Sequence, residues 1–311
     1  MLRELAIGTP GVEFMPGVTA NQLLEESGRF SGIEVTEEHG RTREIKARLV
    51  VAADGHHSRM AELSGVKTTR KAHNRFAYFA HYRGLRLGSG KRSQMWFLEP
   101  DIAYIFPNED DVTVVACMPH KDKLPAWKSN PEESFQSFFD RVPDAPRLSD
   151  ATRVSPLIPM IDMTNTSRPA THKGMAFVGD AAMAADPLWG VGCGWAFQSA
   201  EWLVDCTADA LLQNANLARA LDTCRKKHRG ELAGHEFLIS DYASARPFNP
   251  IEKLMYSAAT RDPALAHQFL LFGQRSIGAL QFLSPRAIAR SLWVNLTAKS
   301  AQQSLQPTNS R

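Results

Sequence analysis

At 311 residues, with 43% hydrophobic and 22% charged, the chain has the composition of a folded globular protein with room for two domains. Its formal net charge of +3 is too small to imply a nucleic-acid partner, and no apolar run reaches membrane-spanning length. Cys117, Cys193, Cys206 and Cys224 show neither Cys-x-x-Cys nor zinc spacing, so a reducing cytoplasm and no metal centre are expected.

In chain order, residues 12–15 and 32–36 read as extended, residues 37–40 as a hairpin turn, and residues 43–46 as the returning strand. The apolar run 49–53 predicts a strand buried on both faces, ending in Asp54-Gly55 with Ser58 close behind. Runs at 75–83, 94–98, 102–106 and 112–118 predict an antiparallel sheet. Alternation puts His81 and Arg83 on one of its faces and Tyr82 on the other; these and Tyr104 are candidates for substrate contact. Ser129-Asn130-Pro131 opens a predicted helix over 132–140. Helices are also predicted over 195–213 and 217–239, with amphipathic pieces to about residue 299. The polar tail 301–311 is expected to be disordered.

The most informative segment is 174–194, Gly-Met-Ala-Phe-Val-Gly-Asp-Ala-Ala-Met-Ala-Ala-Asp-Pro-Leu-Trp-Gly-Val-Gly-Cys-Gly. An apolar strand delivers Gly179-Asp180 at its carboxyl end, where ligands of α/β sheets bind. Pro187 and the alternating Gly190, Gly192 and Gly194 follow, marking a turn that hugs a ligand at the start of a helix. That helix would aim free N–H groups and its positive dipole end into the turn. An acid beside a helix N-terminus suits a ligand with sugar hydroxyls at one end and an electron-rich ring at the other.

Taken together, Asp54-Gly55 and Gly179-Asp180, in this order and each at a strand end, resemble the two motifs of the class A flavoprotein monooxygenases. The family is typified by para-hydroxybenzoate hydroxylase, with flavin halogenases and geranylgeranyl reductases as relatives. The resemblance spans roughly residues 10–235 and implies an α/β (α+β) fold. The implied organisation is a discontinuous FAD-binding domain, 1–73 and 166–235, a substrate-binding sheet domain, 74–165, and a helical C-terminal region, 236–311. It implies FAD as cofactor and a monooxygenase acting on a small hydrophobic or aromatic molecule, with halogenase, polyprenyl reductase or a vestigial flavin-free chain as alternatives.

By resemblance, Asp180 holds the ribityl hydroxyls. Asp54-Gly55 lies near the pyrophosphate, and Pro187, Gly190, Gly192 and Gly194 face the isoalloxazine. NAD(P)H is the implied electron donor, although the arginine that often follows the serine is replaced by Ala61. Met183 stands where many relatives have His, and no acid–base catalyst is assigned. The strand–Gly-x-Gly-x-x-Gly–helix unit that cradles the pyrophosphate is missing; the chain opens in what looks like the middle of the family pattern. This predicts a partial chain and weak FAD binding by the polypeptide as given.

Overall fold

A computed structural model describes residues 2–304 apart from Ser89, with side chains except those of Trp189 and residues 298–304. The chain forms two compact units: Met1–Thr69, Thr166–Ala184 and Gly192–Gly230 in the first; Arg70–Asn165, Ala185–Val191 and Glu231–Arg311 in the second.

The first unit holds an antiparallel sheet of Thr19–Glu26, Arg29–Thr36 and Thr42–Lys46. Ser27 and Gly28, at φ 51° and 77°, make the two-residue turn whose twist suits a hairpin. The strand expected over residues 12–15 does not form, and Thr19–Glu26 takes its place. Pro16 lacks an N–H and Gly17 sits at φ 72°, so the extended run cannot continue through them. At Gly32 a Cβ would lie 2.3 Å from the carbonyl oxygen of Ile45 on the neighbouring strand, so only glycine fits.

Beside this sheet, Met175–Phe177 pairs in parallel with Val51–Ala52, in register Ala176 to Val51 and Phe177 to Ala52. Met175 and Phe177 pack with Val50, Ala52, Met60 and Phe30. Ala176 and Val178 pack on the other face with Leu203, Leu221 and Cys224. The expectation that residues 49–53 are buried on both faces fails at Val51, which is 44% exposed. Val51–Ala52 is the edge of its three-stranded sheet; alternation turns Val50 and Ala52 into one core, and on the other face Leu49 packs while Val51 is left exposed. Helix Gly192–Leu212 buries Trp195, Ser199, Trp202, Leu203, Thr207 and Ala210.

In the second unit an antiparallel sheet runs in the order Thr152–Arg153, Ala77–Arg83, Val112–Met118, Ile102–Pro107, Gln94–Phe97, with Ile158–Met160 also pairing to Ala77–Arg83. One face, including Tyr78, Ala80, Tyr82 and Ile105, packs on Trp127, Phe135, Phe138 and Phe139. Those aromatics come from helices Leu124–Ser129 and Pro131–Phe139; the Asn130 side chain caps the second by accepting from Glu133 N. Burying side chains of this size contributes about 1.5–3 kcal/mol each. The other face, with Ala77, Ile102, Tyr104 and Met118, packs on Leu188 and Tyr242. Tyr82 is therefore a core residue, while Tyr104 belongs to the face that meets the loop around Leu188.

Helices Pro250–Ala259, Pro263–Gly273 and Pro285–Ser304 follow, each opening on proline. The last reaches Ser304, so the first four residues of the predicted disordered tail are helical; Ala301, Gln302 and Gln303 are good helix formers. Residues 305–311 lie outside the described residues. Gly32→Val is expected to lower stability by about 1–3 kcal/mol, as overpacking does, with the loss read as a shifted urea midpoint. An unchanged midpoint would show that the strand pairing yields to a side chain.

Candidate functional site

In the first unit the two acid-bearing motifs come together because the strands before them are parallel neighbours. Asp54 lies two residues beyond Ala52 and Asp180 three beyond Phe177, so both leave the sheet at its carboxyl end. This is the edge at which open α/β sheets hold ligands.

Asp54 is engaged locally. Ser58 Oγ donates to its Oδ1 at 2.6 Å and the Met60 N–H to its Oδ2 at 2.9 Å, while Ser58 itself caps helix Arg59–Ser64 by accepting from Ala61 N. Its carboxylate thus anchors the first turn of that helix. Gly55 turns the chain at φ 80°, a conformation that favours glycine.

Asp180 differs. It is exposed and has no hydrogen-bond or ion-pair partner among the described residues. Nearby protein desolvates its carboxyl and raises its pKa, against the opposing pull of a charged His56. Asp180 is therefore an acid at a strand end whose oxygens protein donors among the described residues leave open, so the hydroxyls of a ligand can reach them. Gly179, just before it, is at φ 56° and donates its N–H to Ser199 Oγ at 2.8 Å. A Cβ there would lie 3.2 Å from that of Ala196, so glycine allows helix Gly192–Leu212 to approach the strand closely.

That helix begins at Gly192, so Gly192 and Gly194 lie in its first turn rather than in the preceding turn. Both are exposed, and a Cβ on either would meet nothing within 4 Å. Neither has positive φ; among the alternating glycines of the turn only Gly190 does, at φ 63°. Of the three, only Gly190 takes the left-handed backbone that favours glycine. At Gly192 and Gly194 the glycines instead leave open space in front of helix N–H groups that have no intrahelical acceptor.

Pro187 and Gly190 belong to the second unit, where Pro187 opens the 3₁₀ turn Pro187–Trp189 and Gly190 ends it. The side chain of Trp189 lies outside the described residues. The turn hangs on Asp186, 1% exposed. Asp186 Oδ1 accepts from Leu188 N at 2.7 Å, and its own N–H donates to Asn165 Oδ1 at 2.6 Å. His73 Nε2 stands 2.8 Å and Arg75 Nη1 3.7 Å from Asp186 Oδ2, with all three side chains buried. His73 Nδ1 lies 3.1 Å from both the backbone nitrogen and the carbonyl oxygen of Arg75, which fixes the ring against that backbone. Tyr104 Oη donates to Leu188 O at 3.2 Å. Burial, with the Asp186 charge adding to it, raises the Tyr104 phenol well above its ordinary range and keeps it a donor.

Sequence reasoning missed Arg168, 8% exposed. Its guanidinium donates to Thr68 Oγ1 at 3.0 Å, to Ala181 O at 2.9 Å and to His56 O at 3.3 Å, tying the turn after Asp180 to the one after Asp54. Nothing local in Ser167-Arg168-Pro169 marks it, because its partners are distant backbone carbonyls. His73, Arg75 and Asp186 were missed because only the fold brings them together, His73 and Arg75 preceding the sheet strands and Asp186 following them.

The Asp180 shift has a pH consequence. Below the ordinary value of 3.8 the carboxyl is protonated folded and unfolded alike, and the burial penalty is absent. The penalty is complete only above the raised folded value. Asp180→Asn is therefore expected to raise the melting temperature of the flavin-free protein at pH 7, with the gain vanishing as pH falls below about 4. A gain independent of pH would place its cause elsewhere.

The chain matches the FAD binding domain family over residues 1–229. Digeranylgeranylglycerophospholipid reductase of Thermoplasma acidophilum is 22% identical over 197 residues, covering 62% of this chain and 48% of that one. The chain spans about half the length of the curated relatives it matches. Among solved structures, the flavin-dependent brominase Bmp2 superposes with a TM-score of 0.72 at 16% identity, covering 94% of this chain and 72% of that one. OxyS anhydrotetracycline hydroxylase from Streptomyces rimosus superposes at 0.64 with 21% identity, covering 86% and 53%. At these identities the structural likeness shows the fold; the sequence match shows the family. The chain belongs to the FAD binding domain family, whose cofactor is FAD.

Proposed function

We propose that this chain forms the flavin-holding and substrate-holding parts of an oxidoreductase of the monooxygenase type, acting on a small hydrophobic or aromatic molecule with NAD(P)H as electron donor. The observation that carries the reading is Asp180: a carboxylate with no partner among the described residues, at the carboxyl end of a parallel strand. The residues fit FAD. Asp180 would accept from ribityl hydroxyls. The open N-terminal turn at Gly192 and Gly194 would donate to the pyrimidine edge, and Asp54-Gly55 would lie toward the pyrophosphate.

When bound, FAD supplies the redox chemistry. The protein's part is placement and electrostatics: a helix N-terminus stabilises negative charge gathering near it. The name of the Thermoplasma relative favours a second reading, saturation of a polyprenyl chain, and that of Bmp2 favours halogenation. Hydroxylation consumes oxygen, polyprenyl reduction proceeds without it, and halogenation needs halide as well as oxygen. Turnover with and without oxygen and bromide separates the three.

The flavin site is tested by titrating the 311-residue chain with FAD and following flavin fluorescence. Asp180→Ala is expected to weaken binding about 10- to 100-fold, matching the roughly 1.5–3 kcal/mol of a hydrogen bond to a charged group. Gly192→Val is expected to abolish binding while leaving the melting temperature of the flavin-free protein unchanged. Its Cβ enters open space at non-positive φ, and valine is no worse than glycine in a helix. Parent-like affinity in either variant would overturn the placement of FAD.

A further inference from the structure

Two of the four cysteines meet inside the first unit, and the proposed flavin chemistry uses neither. Helix Gly192–Leu212 and helix Leu217–Ala243 are joined by residues 213–216 and run back along one another. The Trp202 ring stands edge-on to that of His228, 6.2 Å between centroids, and Asp205 Oδ2 lies 3.4 Å from Lys227 Nζ. Residues four apart share a helix face. One turn nearer the connecting loop, position 206 on the first helix therefore faces position 224 on the second. Both are cysteine. Cys206 packs against the cluster that holds Cys224, Leu203, Leu221 and Val178, and the two thiols interact directly.

The two thiols are not equivalent. Cys206 is half-buried, whereas Cys224 is 3% exposed. Burial pushes the Cys224 thiol up to about 11, so by itself it is a poor nucleophile at neutral pH. An oxidant from solvent therefore meets Cys206 first. Once Cys206 is oxidised, its sulfur is already held against Cys224, and the second step is intramolecular. The other two cysteines stand apart from this contact. Cys117 is buried in the sheet of the second unit, and Cys193 is exposed in the first turn of helix Gly192–Leu212, so each serves as an internal reference.

We propose that Cys206 and Cys224 form a dithiol modification site, at which hydrogen peroxide closes a reversible disulfide that staples helix Gly192–Leu212 to helix Leu217–Ala243. The Cys206 thiolate attacks one peroxide oxygen and the O–O bond breaks. This leaves a sulfenic acid on Cys206 and a hydroxide, which the proton released by the thiol converts to water. The Cys224 sulfur, giving up its proton, then attacks the Cys206 sulfur. The S–S bond forms and the sulfenic oxygen leaves as a second water. Two thiols are oxidised and one peroxide is reduced; a small dithiol reverses the bond by exchange. The closed loop, residues 206–224, restricts the unfolded chain and so stabilises the folded one. The inference rests on packing within the first unit and not on the flavin reading.

The test treats the full chain with hydrogen peroxide, alkylates the remaining thiols with N-ethylmaleimide in urea, and maps peptides without reductant. Chymotrypsin cuts at Trp195 and Trp202 and so parts Cys193 from Cys206, while trypsin cuts at Arg219 and Arg225 and releases Cys224. One cross-linked pair carrying Cys206 and Cys224 is expected, lighter than the two free peptides by two hydrogens and split by dithiothreitol. The oxidised chain should melt several degrees above the reduced one, and the difference should vanish in Cys224→Ser. In that variant the sulfenic acid on Cys206 lacks its resolving thiol and should be captured by dimedone. The parent's peptide map decides the matter whether or not the variant folds. Full alkylation of both thiols after peroxide would overturn the proposal, as would Cys206 linked to Cys193 or to a second chain while Cys224 stays free.

Discussion

The first unit depends on one short parallel pairing. Two residues of an edge strand, Val51 and Ala52, lie beside Ala176 and Phe177, and this alone brings Asp54 and Asp180 to the same end of the sheet. A pairing so short contributes little by its own hydrogen bonds, whose net worth is about 1 kcal/mol each. It is held from outside. Met175 and Phe177 are buried on one face and Ala176 and Val178 on the other. Beyond the strand ends, Arg168 ties the carbonyls of His56 and Ala181 to one guanidinium. Arginine suits this task because its planar fork offers several fixed donors and it never loses its charge.

The glycines of the candidate site answer three different physical demands. Gly55 and Gly190 supply left-handed backbone, and Gly179 combines that with the close approach of helix Gly192–Leu212. Gly192 and Gly194 need neither; what they provide is empty space before a helix N-terminus. Only the last demand is one that a ligand placed as proposed would use. Substitutions at these positions therefore sort into those that act through folding and those that act through occupancy.

In the second unit the turn carrying Pro187 and Gly190 hangs on a buried charged group, Asp186, held by Leu188 N and faced by His73 and Arg75. Arg75 in turn donates to Pro100 O at 2.7 Å and Tyr242 O at 3.0 Å. Burying charges in this way gains little net stability, because each loses its hydration. Removing one partner, by contrast, is strongly unfavourable, since it strands the others. We interpret the network as a device that holds the turn in one shape. It also fixes Tyr242, whose carbonyl and ring Arg75 meets.

The sequence alone determined the class of fold and the identity of the two motifs. Local chemistry marks strands by alternation, turns by glycine and proline, and the acid at a strand end by its neighbours. It also marked the helix over Pro131–Phe139 and the antiparallel sheet from residue 77 to residue 118. Tertiary structure decided what depends on partners far along the chain. It showed Val51 at an open edge, and Asp54 engaged by its own helix while Asp180 has no partner among the described residues. It put Tyr82 in the core and Tyr104 on the loop-facing side. It also revealed Arg168 and the Asp186 network, whose partners lie up to 112 residues from Arg168 in sequence and, for Asp186, on the far side of the sheet segment. A side chain's neighbours within a few residues are written in its local sequence, but its distant partners are set by how the strands pair, which no local pattern encodes.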